Sequence, residues 1–229
     1  MKESMNNTEN GLRRGIILDV DGTLWDAVEV ITESWNLYGK DVPDVKEEIT
    51  CERMRGCLGK TMPAIADEVY DYLPRDRRLE VLQGAMDLEI RYMWDHPGRI
   101  YPDVRSTLER LKEEGWHLYI VSNCQKGYIE DFLHAADAES LIEDHLCYED
   151  TEQEKDYNIR LCAQRNELDY AMYVGDTAGD LQSAVKAGTD FVFASYGFGD
   201  VTGMEGVTAE ISSFAQLPQI AAQIMAGKE

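Results

Sequence analysis

Short, uninterrupted apolar runs recur along the chain: Gly15-Ile16-Ile17-Leu18-Asp19, His117 to Ser122, Ala171 to Gly175 and Phe191 to Ala194. Runs this short, with no polar residue at alternate positions, predict strands buried on both faces. Between them the apolar spacing changes to that of helices. Asp103 to Glu114 repeats apolar residues at Val104, Leu108 and Leu111 before Gly115, and Lys155 to Glu167 and Ala178 to Ala187 behave likewise. Strands alternating with helices predict an α/β protein with a parallel sheet covered on both faces. Such a sheet binds ligands at the carboxyl ends of its strands.

The alternation stops between the first strand and the second. From Val28 to about Pro97 only helical spacing is visible: Val28, Ile31 and Trp35 share one face, Ile65, Val69 and Tyr72 another, and Leu79, Leu82, Met86 and Ile90 continue the pattern until His96-Pro97-Gly98. An all-helical insertion is expected there. Leaving from the carboxyl end of the first strand, it would sit over the site as a lid.

Composition narrows the partners. The 229 residues carry 22 Lys plus Arg against 44 Asp plus Glu, a formal charge of −22, with 44% hydrophobic residues. That is the composition of a folded globular chain, and its charge repels both nucleic-acid phosphate and an anionic bilayer. Neither is an expected partner, whereas a small anionic substrate fits if a local cation cancels the field. Met1 to Asn10 is polar and has no apolar core, so a cytoplasmic protein is expected and the sequon Asn6-Asn7-Thr8 is discounted. Cys51, Cys57, Cys124, Cys147 and Cys162 are odd in number and irregularly spaced, which predicts buried free thiols rather than a disulfide frame or a zinc site.

Candidate chemistry collects at the predicted strand ends. Asp19 and Asp21, two positions apart on an extended segment, project to one side, and Gly22 permits a sharp exit and close ligand approach. The next strand ends in Ser122-Asn123, and Val174-Gly175-Asp176 is followed by Asp180 in the first turn of a helix. Asp19, Asp176 and Asp180 suit a hard divalent cation, Mg²⁺, that also takes a phosphate oxygen. A phosphate dianion among these acids needs a fixed ammonium as well, for which Lys155 is the candidate.

These residues, in this order, resemble the haloacid dehalogenase superfamily of phosphotransferases, in its branch with a helical cap inserted after the first motif. Asp19-Val20-Asp21-Gly22-Thr23 resembles the first motif, Ser122 the second, Lys155 the third, and Gly175-Asp176 with Asp180 the fourth. The resemblance implies a Rossmann-like core of residues 1–25 and 98–229, a cap of residues 26–97, and Mg²⁺-dependent hydrolysis of a small phosphorylated metabolite, phosphoglycolate-like or a sugar phosphate. Asp19 would be the nucleophile that forms an aspartyl phosphate, and Asp21 the general acid and base. Ser122 and Lys155 would hold the phosphoryl group, with Gly22, Thr23 and Asn123 as further phosphate contacts. Asp176 and Asp180 would hold the metal with Asp19 and the carbonyl of Asp21. Relatives that remove halide lack the second acid, so Asp21 favours phosphoryl chemistry.

A phosphomutase using the same site, and a phosphometabolite-binding protein without catalysis, are the alternatives. Arg53, Arg55 and Lys60, near Gly56 and Gly59, are candidates for a cationic loop that recognises the leaving group. Gly59-Lys60-Thr61 is not the end of a P-loop, because position 54 is Met and no strand precedes it. Gly197-Phe198-Gly199 lacks the third glycine of a dinucleotide site and is expected to border the pocket, while the four histidines have no metal-ligand spacing.

Overall fold

In the computed structural model, which describes residues 12–228, the polar segment Met1 to Asn10 with its sequon lies outside the described residues. The strands are β1 (Arg14–Leu18), β2 (Trp25–Asp26), β3 (Arg99–Ile100), β4 (His117–Val121), β5 (Asp144–Leu146), β6 (Tyr170–Gly175), β7 (Asp190–Ala194) and β8 (Val207–Ile211). The helices are α1 (Val28–Gly39), α2 (Cys51–Arg55), α3 (Met62–Val69), α4 (Arg75–Asp95), α5 (Val104–Glu113), α6 (Tyr128–Ala136), α7 (Tyr148–Thr151), α8 (Lys155–Arg165), α9 (Ala178–Ala187) and α10 (Leu217–Ala226).

Six strands form one parallel sheet in the order β5-β4-β1-β6-β7-β8. In the central strand β1, successive side chains leave on opposite sides. Ile16 and Leu18 join one hydrophobic cluster and Ile17 the other, which is why the run has no polar member. Helices cover both faces, so the class is α/β, as the apolar runs predict, and Rossmann-like, as the family resemblance implies. The edge strands depart from that pattern. β8 reads Val-Thr-Ala-Glu-Ile, with Thr208 and Glu210 exposed, so its alternation is that of a half-covered edge.

Helices α1 to α4 occupy the long interval between β1 and β4. Where this interval begins and ends, Trp25 and Asp26 pair antiparallel with Ile100 and Arg99, and the Arg99 guanidinium lies 3.1 Å from Asp26. Val28, Ile31 and Trp35 are buried together on α1, which packs against α4. Two assignments to the apolar faces need correction. Tyr72 is 37% exposed because α3 ends at Val69, and Leu79 is 41% exposed on the outer side of the first turns of α4. Four of the five cysteines are buried free thiols and Cys51 is an exposed one. No described helix is long and apolar enough to cross a membrane.

Candidate active site

Because β1, β4 and β6 run parallel, their carboxyl ends open onto one edge, and the residues that follow them meet there. Asp19 follows β1, Ser122 follows β4, and Asp176 follows β6; Lys155 is the first residue of α8 and Asp180 lies in the first turn of α9. The Lys155 ammonium, 2% exposed, lies 3.0 Å from Asp19 Oδ1 and 2.6 Å from Asp180 Oδ1. The other Asp180 oxygen accepts hydrogen bonds from the Thr177 N–H at 2.9 Å and the Thr177 hydroxyl at 2.6 Å. Thr177 in turn caps the helix through the Asp180 N–H, a reciprocal arrangement that fixes the start of α9 and aims Asp180 at Lys155.

Asp176 is held from the opposite side by the loop after β7. The Phe198 N–H donates to Asp176 Oδ2 at 2.6 Å, and a side chain on Gly197 would collide with the same carboxylate. Gly22, at φ +76°, closes the approach from β1; a Cβ there would strike the Asp176 carboxylate, so this turn requires glycine twice over.

After these contacts Asp19 Oδ2 and Asp176 Oδ1 remain buried without a hydrogen-bond partner. Carboxylate oxygens of Asp19, Asp176 and Asp180 all lie within 4.8 Å of one another. Buried acceptors left unpaired are costly unless a cation reaches them, and an all-oxygen donor set is what a hard divalent cation takes. The set therefore fits a hard divalent cation, with Asp19 and Asp176 offering free oxygens and Asp180 already engaged by its neighbours. Burial pushes Asp19 up to about 6 against the pull of Lys155. Burial and the adjacent Asp180 push Asp176 to about 8. Burial alone would depress the Lys155 ammonium, but Asp180 and Asp19 outweigh it and hold its pKa above the usual lysine value.

Asp21 leaves this group. Its Oδ1 accepts a hydrogen bond from the Tyr128 hydroxyl at 2.6 Å, and burial raises its carboxyl to about 8 against that bond. Thr23 is fully buried, with its hydroxyl unpaired and away from the cavity; its backbone carbonyl accepts from Tyr196. Asn123 reaches across to the helical segment, where its amide donates to the Gly59 carbonyl at 2.9 Å.

Between that segment and the β4 edge lies a cavity, with Asp21, Ser122, Asn123 and Tyr128 on one side and Trp35, Met54, Met62 and Glu89 on the other. Of the three cations assigned to a recognition loop, Lys60 lines this cavity, paired with Glu68. Arg53 instead donates to the Glu68 carbonyl at 2.6 Å and lies near Glu47 and Asp71, while Arg55 sits over the Phe198 ring, 4.0 Å from Asp26. Each guanidinium has an acidic neighbour outside the cavity, so the strongly acidic surface draws both away from it.

Glu89 and Tyr128 were not singled out from sequence. Glu89 is a buried carboxyl on α4 that accepts hydrogen bonds from the Trp35 indole N–H and, at 2.8 Å, from the Gln125 amide. The available signal was its spacing: Leu82, Met86, Glu89 and Met93 are all buried on one helical stripe, and a charged residue there breaks the pattern. Tyr128 has no comparable signature, since its role depends on Asp21 across 107 positions.

Burial raises Glu89 from its ordinary 4.5 to about 7. The unfolded chain thus releases this proton at lower pH than the folded one, and stability falls as pH rises through the window between the two values. Glu89→Gln, which removes the ionisation but replaces one of the two accepting oxygens by an amide nitrogen, is expected to exceed the parent in stability at pH 8 by less than the roughly 3 kcal/mol that the raised pKa alone would give. The gain should shrink toward zero near pH 4.5, the ordinary glutamate value. Urea unfolding of both proteins across this range measures the difference.

The chain is similar to known proteins along most of its length. A phosphoglycolate phosphatase of Escherichia coli (strain K12) is 25% identical over 211 residues, covering 81% of this chain and 82% of its own length. One from Salmonella typhi is 24% identical, with 93% of each chain covered. Among solved structures, a haloacid dehalogenase-like hydrolase from Bacteroides fragilis superposes with a TM-score of 0.79 at 21% identity, covering 90% of this chain and all of that one. CbbY from Rhodobacter sphaeroides, solved in complex with phosphate, gives 0.72 at 16% identity, covering 90% and 96%. Those two likenesses speak to the fold. The profile described as Haloacid dehalogenase-like hydrolase matches residues 16–194, from the strand that carries Asp19 to the end of β7, and the chain belongs to that family of enzymes.

Proposed function

We propose that this hydrolase is a Mg²⁺-dependent phosphatase of small phosphomonoesters that works through an aspartyl phosphate on Asp19. The observation that carries this reading is the buried Asp19 carboxylate, with one oxygen fixed by Lys155 at 3.0 Å and the other free beside the unpaired oxygen of Asp176. Mg²⁺ held by Asp19 and Asp176, with Asp180 fixing Lys155 beside them, would offset the charge of the incoming phosphate dianion. An Asp19 carboxylate oxygen forms a bond to phosphorus as the ester P–O bond breaks. The departing alkoxide takes the proton of Asp21, which burial keeps protonated near neutrality. Asp21, now a carboxylate, removes a proton from water as the water oxygen bonds to phosphorus and the Asp19–phosphorus bond breaks, returning both acids to their starting states.

Lys155 neutralises Asp19 in the resting site and meets the phosphoryl oxygens as charge gathers there. Ser122, buried at the same edge, supplies a hydroxyl donor to the phosphoryl group. The Tyr128 hydrogen bond fixes the Asp21 rotamer toward the cavity. Four buried free thiols agree with a reducing compartment, and the cytoplasm is the proposed location.

The test is release of inorganic phosphate from p-nitrophenyl phosphate and from a sugar phosphate. Turnover is expected with Mg²⁺ and should be abolished by EDTA, and Asp21→Asn should lower it by about 10²-fold or more while the protein stays folded. Isomer formation without phosphate release would make the enzyme a mutase, and undiminished turnover in EDTA would overturn the metal reading.

A further inference from the structure

The wall facing Asp21 says what the site accepts beyond the phosphoryl group; the inference rests on the phosphatase reading above. Most side-chain donors around the cavity already donate elsewhere, and the Ser122 hydroxyl is the one assigned above to the phosphoryl group. The Trp35 indole and the Gln125 amide donate to Glu89, the Asn123 amide to the Gly59 carbonyl, the Tyr128 hydroxyl to Asp21, and the Lys60 ammonium to Glu68. What remains toward the space is acceptors. Asn123 Oδ1 is buried without a partner, and a carboxylate such as Glu89 accepts about four hydrogen bonds, of which it has two from the protein. No arginine lines the cavity among the described residues, and Lys155 is committed to Asp19 and Asp180.

We propose that this cavity receives the alcohol portion of the phosphomonoester and that Glu89 selects alcohol portions that are uncharged or cationic and donate hydrogen bonds, against anionic ones. A hydroxyl or ammonium satisfies Glu89 and Asn123 Oδ1 together. A carboxylate in the same place faces Glu89 with no free cation to separate them, and both desolvation and like-charge repulsion count against it. The apolar side chains of Trp35, Met54 and Met62 keep water from screening that repulsion. Glu89 is itself costly to keep ionised in such surroundings, as its raised pKa records. The substrate preference thus differs from what the names of the phosphoglycolate phosphatase relatives suggest.

Three phosphates of nearly equal length separate the cases: 2-hydroxyethyl phosphate, phosphoethanolamine and phosphoglycolate, assayed by phosphate release from the full chain with Mg²⁺ at pH 8, where Glu89 is ionised. At least one of the first two is expected to exceed phosphoglycolate in kcat/KM by about tenfold or more, and which of them leads tells hydroxyl from ammonium. In Glu89→Gln the preference over phosphoglycolate should fall by about tenfold. Phosphoglycolate turned over as well as both others by the parent protein overturns the inference, and so does an unchanged ratio in folded Glu89→Gln. The parent ratio decides by itself if that variant does not fold. Failure to hydrolyse even p-nitrophenyl phosphate with Mg²⁺ would remove the phosphatase reading and this inference with it, whereas turnover with a preference for phosphoglycolate removes the inference alone.

Discussion

Asp19→Asn is expected to lower the turnover of p-nitrophenyl phosphate by about 10⁴-fold or more, the scale seen when a covalent nucleophile is removed. The amide has nearly the shape of the carboxylate, so packing at the end of β1 is retained. Lys155 keeps its 2.6 Å contact with Asp180, and no buried charge is left unpaired by the change. The loss therefore reports chemistry rather than collapse of the sheet edge, and an unchanged far-ultraviolet circular dichroism spectrum would support that. A second measurement isolates the covalent step: parent protein quenched in acid during turnover should retain phosphate on the chain, and the variant should not. If Asp19→Asn hydrolysed the ester within tenfold of the parent, a water would have to be the direct nucleophile. Asp19 would then be only a metal ligand.

The same residue shows what was legible before any coordinates. Asp19, Ser122 and Asp176 stand directly after apolar runs, and a parallel sheet brings every such end to one edge; position along the chain therefore stands in for position in space. A charge argument asks for a fixed cation near the four acids, the family resemblance points to Lys155 for it, and its ammonium lies between Asp19 and Asp180. Glu89 escaped because its meaning depends on which residues face it. On α4 alone it is one acid among many charged residues of both signs, and only the packing of α1 and the loop after β4 turns it into a buried acceptor. Arg53 and Arg55 misled for the complementary reason. Their spacing suggested a cationic loop, but a guanidinium is long enough to choose among acidic neighbours, and the sequence does not rank Glu47, Asp71 and Asp26 against the cavity. The edge strands β5 and β8 are short or alternating, so they carry a weaker apolar signal than the central strands.

Lys155→Met tests the electrostatic centre of the site and should have the largest effect on stability. Methionine approximates the volume of the lysine stem but leaves Asp19 and Asp180 facing each other, 1% exposed each, without the cation that now lies within 3.0 Å of both. Removing one partner from a buried ionic group costs about 3–5 kcal/mol, because the remaining charge stays desolvated. Urea unfolding in EDTA should show that deficit at pH 8. Toward pH 5 the deficit should narrow, since Asp19, whose pKa burial raises in the folded protein, takes up a proton as the pH falls. Mg²⁺ should restore part of the stability of the variant by binding only the folded form, and restore it more than it stabilises the parent, where Lys155 already shares the charge. Activity should not follow stability. With Mg²⁺ present and the fold recovered, turnover should remain about 10²-fold or more below the parent, because the ammonium that meets the phosphoryl oxygens in the transition state is gone. Stability and turnover that both return to parent values with Mg²⁺ would mean that Lys155 only holds the empty site together, and phosphoryl stabilisation would have to come from elsewhere on the edge.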